Sequence, residues 1–266
     1  MTNKKLSGTF VMNRAEPIHR WYGYIEGYSS ALVEDELDKL YDRNIETIYD
    51  PFGGTGTTLL SASQRNITPY YSETNPFMNS VAQTKINDVI DVGHDTKQIH
   101  SIEHFRDKIA SGILLHNVMS WDGFEKYYSE DALKEIVTIK AEIEKQNDSA
   151  VKDILMLTLS SVLVECSKMI RRGDLRFAKE REKKCTPSVL KTFVCKLDDV
   201  IYDIKEYGDS VKKKVVPLAE DSRDVTQKDL VDCVITSPPY LNGTNYIRNT
   251  KLELKLNDYV VSEKDL

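Results

Sequence analysis

A β-prone run at residues 45–52, Ile-Glu-Thr-Ile-Tyr-Asp-Pro-Phe, stops at a proline and gives way at once to Gly53, Gly54 and Gly56. Thr57-Thr58-Leu59-Leu60-Ser61-Ala62 then reads as the start of a helix. A strand that turns through glycines straight into a helix has few architectures open to it, because the helix must fold back over the strand it came from. A second short strand fits Ile67 to Ser72 and ends at Glu73, and a helix through residues 79–85 follows it. Strand, helix, strand, helix is the opening of a βαβ unit and commits the chain to a parallel sheet.

Glycines let a backbone come close to a ligand, and the start of a helix offers free N–H groups. Three readings compete for the stretch Asp50-Pro51-Phe52-Gly53-Gly54-Thr55-Gly56-Thr57-Thr58. A phosphate-binding P-loop needs lysine after its last glycine, and Thr57 stands there. A dinucleotide-binding fingerprint needs a third small residue three positions after Gly56, and Leu59 stands there. The third reading is a loop for S-adenosylmethionine, whose amino-acid end needs close backbone approach but no phosphate cradle.

Beyond residue 94 the character changes. Stretches such as 131–137 and 154–159 suit helices by propensity and period, so residues 95–208 read as a mainly helical insertion. Strand character returns near 214–218 and 231–236. The expected organisation is therefore 1–94, an N-terminal segment with the first half of the sheet; 95–208, the insertion; and 209–266, a further strand and a helix. The aromatic Trp21, Tyr22, Tyr24 and Tyr28 are expected to pack against the sheet. No apolar run is long enough to span a membrane, and the polar N-terminus does not read as a signal peptide. Four scattered cysteines without a C-x-x-C pair fit a reducing cytoplasm and give no metal site. A net charge of -6 argues against a protein that coats nucleic acid non-specifically.

The second motif is Thr236-Ser237-Pro238-Pro239-Tyr240, at the end of an apolar strand. Prolines cannot donate hydrogen bonds, so the carbonyls of a Pro-Pro turn are pure acceptors. With the Ser237 hydroxyl and the Tyr240 ring, the turn could accept the N–H groups of an amine and stack a flat ring. A bare Pro-Pro pair also serves simply to leave a strand.

Together the two motifs resemble the S-adenosylmethionine-dependent DNA amino-methyltransferases, which modify exocyclic amines of cytosine or adenine. The resemblance is good over 45–86 and 214–250 and poor over the helical segment. It implies a Rossmann-like α/β methyltransferase sheet. Asp50, Pro51, Phe52, Gly53, Gly54, Gly56, Thr57 and Thr58 would hold S-adenosylmethionine, with Glu73 on its ribose hydroxyls and Asp221 on its adenine amino group. Ser237, Pro238, Pro239 and Tyr240 would form the catalytic tetrapeptide. Its substrate would be double-stranded DNA with the target base flipped out. Serine at the first tetrapeptide position is more usual for cytosine N4 than for adenine N6, which stays as the alternative. A restriction–modification role follows from the same likeness.

Residues 168–184 hold eight basic side chains against three acidic ones. Arg171, Arg172, Arg176 and Lys179 are therefore candidates for phosphate contacts, although alternating charges also suit a solvated surface. Only about four strands can be placed, fewer than the resemblance implies. The sheet is expected to be incomplete, with a second polypeptide or a shortened gene as the explanation and no activity from the chain alone. A non-catalytic remnant or interaction subunit and a nicotinamide-dependent oxidoreductase are the competing readings.

Overall fold

The computed structural model describes residues 8–24, 26–117, 120–183, 185–227, 230–239 and 246–266. Tyr240 lies outside the described residues. The elements run α1 (Ser30–Asp38), β1 (Thr47–Asp50), α2 (Thr57–Gln64), β2 (Thr68–Ser72), α3 (Pro76–Gln83), a π-helical turn (Thr84–Asp88) and α4 (Val89–Gly93). Then come α5 (Thr96–Ala110), α6 (Glu130–Glu144), α7 (Ser149–Cys166), β3 (Met169–Arg172), β4 (Asp174–Phe177), α8 (Val189–Tyr207), β5 (Val216–Ala219), β6 (Cys233–Val234) and α9 (Lys251–Leu256). The chain divides into two compact units: Met1–His94 with Asp203–Asn242, and Asp95–Tyr202 with Gly243–Leu266. The last segment thus groups with the helices and not with the sheet.

The first unit is α/β. Its sheet has the order β5-β2-β1-β6, and every neighbouring pair is parallel. The four strands fall where the sequence places them. The fourth is shorter than the expected 231–236, since only Cys233 and Val234 pair with β1. The core lies where α1 and α2 cover β1: Val33, Leu37, Ile48, Ala62 and Ile67 form a buried cluster, and Tyr28, Ile45, Cys233 and Ile235 pack against it. Helix α2 is buried continuously from Thr57 to Ser63, so it follows the central strand into the interior and does not lie on the surface as an amphipathic helix.

The aromatic N-terminal segment is part of this unit. Trp21 and Tyr22 are buried, and Tyr22 meets Phe77 edge-on with ring centroids 5.1 Å apart. Ile18 sits at φ +64°, a costly region for a β-branched residue. Asp203 holds it there. The buried Asp203 carboxylate accepts from Ile18 N (2.8 Å), Arg20 Nε (3.0 Å), Arg20 Nη2 (2.8 Å) and Trp21 Nε1 (2.9 Å).

In the second unit α7 is apolar on nearly every face, with Ile154, Leu155, Leu159 and Leu163 fully buried. Helices α5, α6 and α9 pack around it. Within a stretch expected to be mainly helical, the basic segment forms the antiparallel hairpin β3–β4. Gly173 makes the turn possible at φ +77°, and the residues on either side pair as strands. No helix among the described residues is long and apolar enough to cross a membrane.

Replacing Asp203 by alanine strands Arg20 and two backbone or ring donors in the interior. Urea denaturation of Asp203→Ala should show a loss of about 3–5 kcal/mol, the usual cost of removing one partner from a buried ion pair.

Candidate functional site

Strands β2 and β5 lie on one side of β1, and β6 lies on the other. The order reverses between β1 and β6, and in open parallel sheets the crevice outside the carboxyl ends at such a point receives the ligand. The carboxyl ends of the four strands lead into Asp50, Glu73, Asp221 and Ser237 respectively. Four stretches far apart in sequence therefore open onto one edge.

The glycine loop is tied back onto β2. Gly53 N donates to Ser72 O (2.9 Å), and Gly56 N donates to Gly53 O (2.8 Å). Glu73 accepts from Gly54 N through Oε2 (2.8 Å) and from Asn75 N through Oε1 (2.8 Å). Burial pushes the Glu73 carboxyl above the usual range, while these amide bonds pull the other way. Gly54 and Gly56 have φ of +51° and +79°. A Cβ on Gly56 would also lie 3.2 Å from the Ala82 Cβ and 3.3 Å from its Cα. Gly56 stands at the cap of α2 with no side chain to satisfy the first amides of the helix.

A cavity of about 250 Å³ opens here, lined by Pro51, Phe52, Ser72, Glu73, Thr74, Asp221, Ser222, Arg223 and Pro239. It brings together Pro51 and Phe52 of the loop expected to hold the cofactor, both expected acids and the third tetrapeptide residue, while Gly53, Gly54 and Gly56 do not line it. Phe52 is partly exposed and offers an apolar face. Asp221 is paired with Arg223, whose Nε lies 3.0 Å from both carboxylate oxygens. Hydrogen bonds from that guanidinium hold the Asp221 carboxyl down to about 2. Two acceptors beside flat apolar surfaces suit a nucleoside bearing hydroxyls and an amino group. Ligand pockets commonly run from about 300 Å³ upward, so a cavity this size takes one portion of such a ligand.

Asp50, expected on the cofactor, is placed differently. It is 1% exposed and does not line the cavity. Its Oδ1 accepts from Phe52 N (3.0 Å) and Thr236 Oγ1 (2.7 Å), and its Oδ2 accepts from Tyr28 Oη (3.1 Å). The Tyr28 hydroxyl also bonds Thr58 Oγ1, which donates to Ile235 O at 3.3 Å. Asn13 supports the cluster, with Nδ2 donating to Tyr28 O (3.0 Å) and Oδ1 accepting from Ser30 N (2.8 Å). Burial raises both Asp50 and Tyr28 above their ordinary pKa values. A motif position does not say which way a side chain turns, and Asp50 turns into the protein. Thr57 and Thr58 are buried beside it rather than facing the cavity.

Sequence reasoning did not single out Asn13 or Lys85, quoted Thr236 within the second motif without a role, and gave Tyr28 only a packing role. Lys85, 1% exposed on the π-helical turn, donates to Thr55 O (3.3 Å) and His19 O (3.1 Å) and so supports the glycine loop from beneath. Nothing in its local sequence marks it. Of the tetrapeptide, Ser237 is half-buried and Pro238 and Pro239 are exposed.

No family model and no solved structure matches the chain. Among curated proteins it is 25% identical over 295 aligned positions to the Type II methyltransferase M.AvaI of Nostoc sp., covering 97% of this chain and 57% of that protein. It is 25% identical over 283 positions to the Type II methyltransferase M.BsoBI of Geobacillus stearothermophilus (95% and 55%). Against the Type II methyltransferase M.MvaI of Kocuria varians the identity is 22% over 263 positions (90% and 56%). The chain is homologous to Type II methyltransferases. It spans little more than half the length of these curated relatives.

The basic segment 168–184 lies in the second unit, and only some of its side chains face outward. Arg171 is bound inward, donating to Glu253 Oε1 (2.7 Å) and Asn249 O (2.9 Å), with side chains 10% and 1% exposed for Arg171 and Glu253. Arg176 makes a two-pronged pair with Glu182 (2.8 and 2.9 Å). Both were expected to contact phosphate, yet both are committed to carboxylates within the unit. Arg172 and Lys179 are exposed.

The loop geometry gives a direct comparison. Gly54→Ala meets only Phe52 O at 3.8 Å and should cost about 1–2 kcal/mol for its left-handed backbone. Gly56→Ala carries the same penalty plus the Ala82 contact, so its melting temperature should fall further than that of Gly54→Ala.

Proposed function

We propose that this chain carries the cofactor half and the catalytic motif of a DNA methyltransferase of a restriction–modification system. The reaction moves the methyl group of S-adenosylmethionine to an exocyclic amine of a base in DNA, cytosine N4 in the first instance. One observation carries the reading: Pro51 and Phe52 at the start of the glycine loop, Glu73, Asp221 and Pro239 converge on one cavity at the carboxyl edge of a parallel sheet. Homology to Type II methyltransferases supports it.

In this reading Gly53, Gly54 and Gly56 allow the backbone to approach the ligand, Glu73 takes the ribose hydroxyls and Asp221 takes the adenine amino group. Pro51 and Phe52 supply the apolar wall. S-adenosylmethionine supplies an electrophilic methyl group on a sulfonium. An exocyclic amine is a poor nucleophile because its lone pair is delocalised into the ring. Ser237 Oγ and the Pro238 carbonyl would accept hydrogen bonds from its two N–H groups and draw the nitrogen towards tetrahedral geometry, freeing the lone pair to attack. The N–C bond would form as the sulfonium S–C bond breaks, S-adenosylhomocysteine would leave, and the excess proton of the methylated, now acidic nitrogen would pass to water. The work is positioning and electrostatics, with no strong general base. Tyr240 stacks on the flipped base. Arg172 and Lys179 are the proposed phosphate contacts. Adenine N6 is the second reading, because the choice rests on Ser237 alone. A nicotinamide-dependent oxidoreductase would leave the tetrapeptide without a role, and Leu59, fully buried, stands where its fingerprint needs a small residue.

Calorimetry on the chain tests the reading. S-adenosylmethionine should bind and NADH should not. Glu73→Ala should weaken binding about 10- to 100-fold, the worth of hydrogen bonds to a charged group. The Glu73 carboxyl is raised, and only its ionised form accepts at both oxygens. Affinity should therefore be flat at high pH and decline as pH falls through the raised value, at a higher pH than an ordinary carboxylate would require. A response to NADH alone would defeat the proposal.

A further inference from the structure

We propose that Tyr28 and Thr236 are positioning residues, and that the buried chain of bonds Tyr28–Asp50–Thr236 holds Ser237 in place beside the cofactor loop. The inference rests on the methyltransferase reading and concerns residues that touch neither cofactor nor base.

The argument begins with what the sheet does not supply. The pairing of β6 with β1 consists of Ile48 with Cys233 and Tyr49 with Val234, and it ends there. Three residues further on comes Ser237, followed by prolines that have no N–H to give. Catalysis by positioning fails when the support moves by about an ångström, so a catalytic hydroxyl beyond the last ladder bond needs another anchor. Two bonds provide it. Thr236 Oγ1 donates to Asp50 Oδ1, and Thr58 Oγ1 donates to Ile235 O. Both run into the same cluster, because Tyr28 Oη bonds Asp50 and Thr58 together.

The connection to the cofactor loop is made at a single atom. Asp50 Oδ1 accepts both from Thr236, next to Ser237, and from the amide of Phe52, whose side chain lines the cavity. A ligand that presses on Phe52 therefore acts on an amide that shares its acceptor with the catalytic turn. Tyr28 fixes the other oxygen and keeps the carboxylate from rotating. Neither Tyr28 nor Asp50 lines the cavity.

The test uses the full chain labelled with ¹³C in its threonine methyl groups, the Thr236 signal being identified by its loss in Thr236→Ser. S-adenosylmethionine is titrated into the wild type and Tyr28→Phe, and affinity is measured alongside by calorimetry. The dissociation constant of Tyr28→Phe should stay within about threefold of the wild type, since nothing in the cavity has changed. The Thr236 signal should be displaced in the free variant and should no longer respond to the titration. A Thr236 signal that sits and moves as in the wild type would overturn the proposal. Should Tyr28→Phe not fold, Thr236→Ser and Thr236→Val decide the matter at the Thr58 methyl. Serine keeps the hydroxyl and should leave Thr58 in place, whereas valine should displace it; identical positions in the two would also overturn the proposal. If the wild type gives no heat with S-adenosylmethionine, the methyltransferase reading fails, while the Thr236 position in free Tyr28→Phe still decides the network.

Discussion

A carboxyl group removed from water must find donors inside the protein or the fold bears the full cost of its desolvation. Asp50 is in that position at the end of the central strand. Its donors come from the loop it opens (Phe52), from the N-terminal segment (Tyr28) and from the end of β6 (Thr236). These three stretches are separated in sequence by a helix, a strand and the whole helical unit. Meeting the needs of one side chain thus requires the N-terminal segment and the β6 turn to reach the same point in space. The elements that could wander most, an irregular leader and a strand with two paired residues, are the ones recruited.

The two acids of the cavity have opposite environments. Glu73 is raised by burial, whereas Asp221 is drawn down to about 2 by an exposed arginine. A ligand hydroxyl donating to Glu73 relieves a group that is short of solvent. A ligand amino group approaching Asp221 has instead to displace Arg223 from one or both oxygens. That competition is mild, because the Arg223 side chain is 87% exposed and an exposed ion pair is screened by water. The Glu73 side is thus the buried half of the cavity and the Asp221 side its solvent-facing half.

How much of this was legible in the sequence depended on the kind of signal. Glycines and prolines are local punctuation, so the course from β1 through the loop to α2 could be read off directly, as could an acid closing β2. Where a side chain points within a motif is not local. Asp50 occupies a motif position that suggests a ligand contact, but its direction is set by donors at residues 28 and 236. The basic segment failed for the same reason. A tally of charge over 168–184 cannot see Glu253, which lies 82 positions beyond Arg171 and takes its guanidinium out of play. The hairpin at Gly173 was not legible either, because it depends on what the flanking residues can pair with.

Both units solve one problem in the same way. A turn that must present a side chain has little backbone support of its own: the β6 turn because its ladder stops and its prolines cannot donate, the β3–β4 hairpin because two short strands alone are marginal. In each, a residue beside the presented one is turned inward onto a buried carboxylate, Thr236 onto Asp50 and Arg171 onto Glu253. Asn249 completes the second anchor, donating to Gly173 O (2.7 Å) and accepting from Leu175 N (2.8 Å). The next residue along is Ser237, half-buried, in one case and Arg172, exposed, in the other. Successive side chains in extended backbone point to opposite sides. Anchoring one residue therefore aims its neighbour, and a buried acid far away in the sequence can fix the direction of a group it never touches.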